Sequence, residues 1–300
     1  MITVIGSVNL DLIATVGRLP RPGETVPGDG FSTAPGGKGA NQALAARRAG
    51  GEVRMVGAVG NDAFADQALA LLRAGGVDLS YVRTVETATG IAVILVEASG
   101  ENVIAVIPGG NGTVKPADVD AAALTRGDYL LLQLEIPIEM VAAALASARK
   151  AGAISLLNTA PFRPDAADLL AQADYVVANE TEFDLYADAL TLSGREREEK
   201  MRAFVAKTGR AIVVTLGADG VIAATPEGFF RAEGLAITPV DTVGAGDTFC
   251  GYLAAGLEAG FTVEKALRQA AVAGSLACLK PGAQPSIPTR AEVEDALKTR

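Results

Sequence analysis

Histidine is absent from this chain of 300 residues, and so is tryptophan. Without imidazole there can be no Ser-His or Cys-His nucleophile pair and no His-ligated metal. Any general base must therefore be Asp, Glu, Lys, Tyr or Cys. Cysteine is scarce too: Cys250 and Cys278 are the only two, with no CxxC spacing. That argues against a disulfide framework or a structural zinc site, and both read as small apolar residues in helices. No apolar run has the length of a membrane span. The first residues lack the basic, apolar and small-residue order of a secretion signal, which points to a cytoplasmic protein. Positive charge is the minority sign, with 26 basic against 35 acidic residues and a net charge of −9. Such a balance opposes non-specific contact with nucleic acid or an anionic membrane. What is abundant is hydrophobic content, at 49%, enough at this length for the core of one large α/β domain, alone or with a small appendage.

Short β-rich runs alternate with Ala/Leu-rich stretches. Ile2–Ile5, Val53–Val56, Tyr129–Leu132, Ile154–Leu157, Tyr175–Val177 and Ile212–Thr215 read as buried strands. Ala40–Ala49, Ala63–Arg73, Ile138–Ala151 and Arg195–Lys207 read as helices, as do 247–259, 263–279 and 289–298. This alternation implies a parallel sheet with helices on both faces. Two segments break it. Residues 11–35 are rich in Gly, Pro and Thr, and residues 90–107 form two β-rich runs around Ala98-Ser-Gly-Glu101. Together they suggest a small β-sheet projecting from a single domain spanning 1–300.

The most informative stretch is Asp241-Thr-Val-Gly-Ala-Gly-Asp247, which joins a Gly-rich turn to an apolar helix. Small residues at Gly244, Ala245 and Gly246 let backbone N–H groups converge, and a helix start adds partial positive charge. Asp247 beside them could accept a proton from an attacking hydroxyl, the pairing that phosphoryl transfer to an alcohol requires. A Gly turn with an Asp helix cap would look the same. Pro35-Gly36-Gly37-Lys38-Gly39-Ala40-Asn41 is not a Walker loop, but its glycines allow close backbone approach to a ligand. Asn9 and Asp11 alternate along an extended segment and so share a face; an amide beside a carboxylate suits vicinal hydroxyls, and an Asx-turn is the competing reading. Glu135 follows another strand, as a crevice residue or a first-turn Glu for the next helix. Asn179 and Glu182 sit one turn apart, as oxygen ligands for hydrated Mg²⁺, as a capping box, or both. Thr215-Leu216-Gly217-Ala218-Asp219-Gly220 ends a strand in a glycine turn, either a nucleotide contact or a hairpin into Val221–Ala224.

Together these sites resemble the ribokinase-like carbohydrate kinase family over essentially the whole chain. The Asp241–Asp247 stretch and Gly282-Ala283-Gln284-Pro285-Ser286 are the pieces that mark it most firmly. The resemblance implies a three-layer α/β/α sandwich with a mostly parallel central sheet and a β lid built from segments near 11–35 and 90–107. It implies ATP-dependent phosphorylation of D-ribose at the 5-hydroxyl, with Asp247 as general base and Gly244, Ala245 and Gly246 as an anion hole. Asn9, Asp11, Gly37, Lys38, Asn41 and Glu135 would hold the sugar. Asn179, Gly246 and Thr215 to Gly220 (Thr215, Leu216, Gly217, Ala218, Asp219, Gly220) would line the ATP site. Asn179 and Glu182 would organise Mg²⁺ through water. K⁺ would sit near Asp241, Val243, Ala277, Lys280, Gly282 and Ser286. The lid would pair two subunits as a homodimer. Ala271 is a departure: family members often carry Asn or His there, near the adenine. Other expectations open at this point are a kinase for deoxyribose or a nucleoside such as adenosine, and a sugar sensor without turnover.

Overall fold

The computed structural model describes residues 1–97 and 101–298, so Ala98, Ser99 and Gly100 of the expected turn lie outside the described residues. The strands are β1 (Ile2–Ile5), β2 (Asn9–Val16), β3 (Gly28–Gly36), β4 (Val53–Gly60), β5 (Asp78–Val85), β6 (Gly90–Glu97) and β7 (Asn102–Ile107). They continue with β8 (Tyr129–Leu132), β9 (Ile154–Asn158), β10 (Tyr175–Asn179), β11 (Ala211–Thr215), β12 (Val221–Thr225) and β13 (Gly228–Ala232). The helices are α1 (Lys38–Arg48), α2 (Ala63–Ala74), α3 (Pro116–Ala121), α4 (Ile138–Ala151) and α5 (Glu180–Ala189). After them come α6 (Arg197–Thr208), α7 (Ala245–Glu258), α8 (Val263–Ala277), α9 (Ala283–Ser286) and α10 (Arg290–Lys298).

Nine strands form the main sheet in the order β13-β12-β11-β10-β9-β8-β1-β4-β5. All its pairings are parallel except the β11-β12-β13 edge. β1 is buried throughout and β8 is buried beyond Tyr129 because helices cover both faces. Successive residues show this: Val4, Met55, Leu131, Leu156 and Val177 face a core with α1, α2, α7 and α8. Ile5, Val56, Leu132, Leu157 and Val176 face a second core with α4, α5 and α6. Two strands escaped the sequence reading, β5 and β13. Their half-exposed, mixed composition hides them; they close the two edges of the sheet.

A four-stranded sheet, β3-β2-β6-β7, stands apart, with exposed Phe31 and Val103 on one face and exposed Ile104 and Val106 on the other. No helix among the described residues is long and apolar enough to cross a membrane.

Strand order reverses at β1, whose partners β4 and β8 lead in opposite directions. In such sheets the crevice beyond the carboxyl ends of the strands is where ligands bind. Register decides what meets there. Ile5 pairs with Leu132, so Gly6 and Gln133 leave the sheet side by side.

Candidate active site

Gly244 precedes α7 with φ at 76°. A Cβ there would also stand 2.8 Å from the Ala283 backbone, so both conformation and space require glycine. The helix starts earlier than the sequence suggests, at Ala245, which makes Asp247 its third residue rather than its cap. Asp247 is instead held by α1. Asn41 Nδ2 donates to Oδ2 at 2.9 Å, and Gln42 Nε2 donates to Oδ1 at 3.0 Å. The residue is only 7% exposed, and a buried carboxylate requires such donors. Of the small residues at the turn, Ala245 donates its N–H to Thr242 O at 3.3 Å. The N–H groups of Gly244, Gly246 and Asp247 meet no protein acceptor among the described residues. Of the expected 244–246 set, Gly244 and Gly246 thus keep free N–H groups and Asp247 adds a third, while Ala245 is engaged.

The acceptor end lies between β1, β2, α1 and β8. Glu135 is no helix cap: its Oε2 accepts from Ser7 Oγ at 2.5 Å and from the Lys38 N–H at 3.0 Å. Ser7 Oγ in turn accepts from the Gly39 N–H at 3.2 Å. Gly37, at φ 87°, allows this closeness, since a Cβ would stand 2.7 Å from the Asn9 nitrogen. Asn9 lies in β2 rather than in a turn, and its Oδ1 accepts from Asn111 Nδ2 at 2.7 Å. Asn111 also clasps the Val8 backbone through both amide atoms.

Asp11 follows on the same face of β2. Burial, then the charge of Glu135, raises its carboxyl from 3.8 to about 6, against the pull of Lys38. Burial would lower the Lys38 ammonium, but Asp247, Glu135 and Glu182 outweigh it and the net shift is upward. Acceptor-site charges are therefore coupled through one lysine. Ser7, Gln42, Asn111 and Gln133 were missed as functional candidates. The only hint in the sequence is that Ser7, Gln42 and Gln133 lie within two residues of Asn9, Asn41 and Glu135, because their partners come from distant strands.

The donor end is an apolar cavity of about 690 Å³. Thr215, Gly217, Ala218, Gly220 and Gly246 line it as expected, while Asn179, Leu216 and Asp219 do not. Leu216 and Asp219 border an adjoining pocket instead. The turn after β11 is a hairpin into β12 that also borders the cavity. Missing from the sequence reading was the 234–239 segment, which has no regular structure to announce it. Ala271 does line the cavity, beside Gly274 and Ser275. The Ser275 hydroxyl is spent internally, donating to Ala271 O and accepting from the Leu235 N–H, both at 2.9 Å.

Asn179 and Glu182 form the capping box of α5. Asn179 Oδ1 accepts from the Glu182 N–H at 2.8 Å, and Glu182 Oε2 accepts from the Asn179 N–H at 3.1 Å and Thr159 Oγ1 at 3.0 Å. Glu182 Oε1 accepts nothing among the described residues, so this carboxylate still has a free oxygen of the kind hydrated Mg²⁺ favours. Among those residues no group of three or more His, Cys, Asp or Glu could hold a metal by itself. Asp241 ties two loops together, accepting from the Val243 N–H at 2.9 Å and the Gly282 N–H at 2.8 Å. Ser286 is buried and donates to Ala283 O at 2.9 Å. Val243, Lys280 and Gly282 flank the same junction and Ala277 ends α8 above it. A carboxylate, a hydroxyl and turn carbonyls are the hard oxygen donors that suit an alkali cation.

A buried helix-start carboxylate bonded to α1, with the polar side chains of β2, α1 and Glu135 gathered near it and Gly246 beside it lining an apolar cavity, is the arrangement of a small-molecule kinase. Residues 1–290 match the model described as "pfkB family carbohydrate kinase", and the chain belongs to that family. It is 39% identical to a ribokinase of Bacillus subtilis over 99% of both chains. It is 34% identical to a deoxyribokinase of Salmonella typhimurium, covering 99% of this chain and 98% of that one. A solved structure of Arabidopsis thaliana ribokinase complexed with ribose and ATP superposes with a TM-score of 0.89 at 32% identity, over 99% of this chain and 98% of that one.

Proposed function

We propose that this enzyme phosphorylates D-ribose at the 5-hydroxyl with ATP, giving D-ribose 5-phosphate and ADP. The observation that carries the reading is Asp247. It is a buried carboxylate, fixed by two amides at a helix start that still has free N–H groups. In a chain without histidine, this carboxylate takes the proton of the sugar hydroxyl as the hydroxyl attacks the γ-phosphorus. The N–H groups of Gly244, Gly246 and Asp247 stabilise the charge on the transferring phosphoryl group.

The remaining valences at the acceptor end match a polyol. Asn41 has spent its Nδ2 on Asp247, and its Oδ1 is buried without a partner; it would accept a sugar hydroxyl. Asn9 keeps Nδ2 as a donor and Glu135 keeps Oε1 as an acceptor, while Asp11 keeps its carboxylate. Asn179 and Glu182 would hold Mg²⁺ largely through water, and the ion, when bound, neutralises charge on the phosphates. Asp241, Val243, Ala277, Lys280, Gly282 and Ser286 would hold K⁺. Phe31, 70% exposed, and its apolar neighbours on the small sheet favour a homodimer formed through that sheet. A ribose- and ATP-consuming enzyme of this kind belongs in the cytoplasm.

The deoxyribokinase relative makes 2-deoxyribose the second substrate to weigh. Initial rates with ATP and Mg²⁺ on D-ribose, 2-deoxyribose, hexoses and nucleosides test the reading. D-ribose should give the highest kcat/KM. A faster deoxyribose or nucleoside reaction overturns the substrate assignment, and ribose binding with no phosphoryl transfer reduces the chain to a sensor.

A further inference from the structure

Behind Asp247 runs a chain of three amides, two buried and one half-buried, that hydroxyl recognition does not use. Gln42 is 1% exposed and Gln133 is fully buried. Gln42 Nε2 donates to Asp247 Oδ1 at 3.0 Å and to Asn158 Oδ1 at 3.2 Å. Gln42 Oε1 accepts from Gln133 Nε2 at 2.7 Å. Asn158 is oriented by its own donation to Val177 O at 3.2 Å.

An amide has a donor end and an acceptor end of nearly equal size. Toward a carboxylate the two are opposites: Nε2 attracts Asp247 and Oε1 would repel it. Asp247 and the Asn158 oxygen both accept and so call for the Gln42 nitrogen, which leaves the Gln42 oxygen to be matched on its other side. Gln133 presents a donor there, which holds the Gln42 oxygen away from Asp247 and the nitrogen toward it. Gln133 Oε1 lies against Gly6, where any Cβ would overlap it. That oxygen is buried with no partner. The unpaired atom is the cost of holding the chain in one polarity, since a buried acceptor without a donor is unfavourable.

We propose that Gln133 is a positioning residue for the general base, acting through Gln42, and that the pair sets the orientation of the Asp247 carboxylate toward the acceptor hydroxyl. The proposal rests on the assignment of Asp247 as the base. It deepens that reading by placing part of the catalytic geometry on a side chain that touches neither substrate nor Asp247.

The test uses isosteric apolar replacements in the full-length enzyme: Gln42→Met, Gln133→Met and the double variant. Gln42→Met should lower kcat on the order of 10²-fold, the scale expected when a reacting group is misplaced. Gln133→Met should lower kcat about tenfold, and KM for ribose and for ATP should stay within about threefold in both. The double variant should have the kcat of Gln42→Met alone, because Gln133 acts only through Gln42. Thermal stability should behave in the opposite way. Gln42→Met strands the Gln133 amide, and the double variant, which removes both partners, should regain melting temperature without regaining rate.

A purely structural role predicts that kcat follows melting temperature across the three variants, and that result overturns the proposal. Additive kcat losses in the double variant overturn it as well. Near-normal turnover by Asp247→Asn would instead remove the base assignment beneath it, a separate and distinguishable failure.

Discussion

The two ends of the crevice are built from different materials. The acceptor end is made of side chains: Asn9, Asp11, Lys38, Asn41 and Glu135 come from β2, α1 and the end of β8. One polar atom each of Asn9, Asn41 and Glu135 is fixed by a protein partner, and the others are left for the ligand. The donor end is made mostly of backbone and small apolar groups, such as Gly217, Gly220, Gly234, Ala271 and Gly274. The difference reflects what each must recognise. A small polyol offers only hydroxyls, so discrimination needs placed donors and acceptors that are left unsatisfied by the wrong sugar. A nucleotide offers a flat ring and a string of phosphates, for which an apolar slot and a helix start suffice. Substitutions at the acceptor end should therefore be severe and specific, and those at the donor end mild.

Asp247→Asn is the sharpest trial of this contrast. Turnover should fall by on the order of 10² to 10⁴, while calorimetry should find ribose binding largely intact. A variant with near-normal kcat would leave the acceptor end a binding site only.

K⁺ should come next. Asp241 joins the 240–244 loop to the 280–286 loop, so an ion held at that junction would steady the N–H groups that precede Asp247. Rates in KCl should exceed those in NaCl at matched ionic strength by roughly tenfold, a positioning effect. Equal rates would mean that the Asp241 hydrogen bonds alone fix the turn. The ionic strength must be matched because an acidic protein also responds to screening.

Asp11 adds a pH signature that the donor end should lack. Its carboxyl is raised from 3.8 to about 6, so acidification through pH 6 removes a charged acceptor from the sugar site. Ribose KM should rise several-fold between pH 7.5 and 5.5, while Asp11→Asn should bind ribose weakly at both. The stability effect has the opposite sign. Because the folded value exceeds the unfolded one, ionisation is penalised in the fold, and stability from this group falls as pH rises from about 4 to 6. Thermal melts should accordingly find Asp11→Asn stabilised at pH 8 and unchanged near pH 3.5. A flat profile would show that Asp11 is solvated in the free enzyme.

The smallest effect should come from the base slot. With Ala271 in the lining and the Ser275 hydroxyl committed to α8 and Leu235, GTP should serve within about tenfold of ATP in kcat/KM. Ala271→Asn should shift that ratio by no more than about tenfold, the value of one hydrogen bond. Strong rejection of GTP would mean that the backbone of 234–239 reads the base, and the donor end would then be as discriminating as the acceptor end.

Periodicity and punctuation carry most of the architecture. The alternation of apolar β runs with Ala/Leu-rich segments identifies the parallel strands and their covering helices. The Gly/Pro/Thr-rich insertion and the paired runs at 90–107 identify the second sheet. Short local motifs likewise single out Asp247, Lys38, Asn41, Glu182 and the glycine turn after β11 as candidates, because each lies within a few residues of its own turn or helix start. The absence of histidine by itself fixed the general base as a carboxylate, lysine, tyrosine or thiol. Register and long-range pairing are another matter. The sequence contains no sign that Ser7 will meet Glu135 or that Gln133 will meet Gln42, since these contacts span 128 and 91 positions. Nor could it say that Asp247 lies within its helix, gripped by two amides of α1, rather than capping it. Those outcomes depend on which strands stand side by side at the β1 reversal. Hydrophobic pattern specifies which residues are buried, but only the packed sheet determines which buried polar groups face one another.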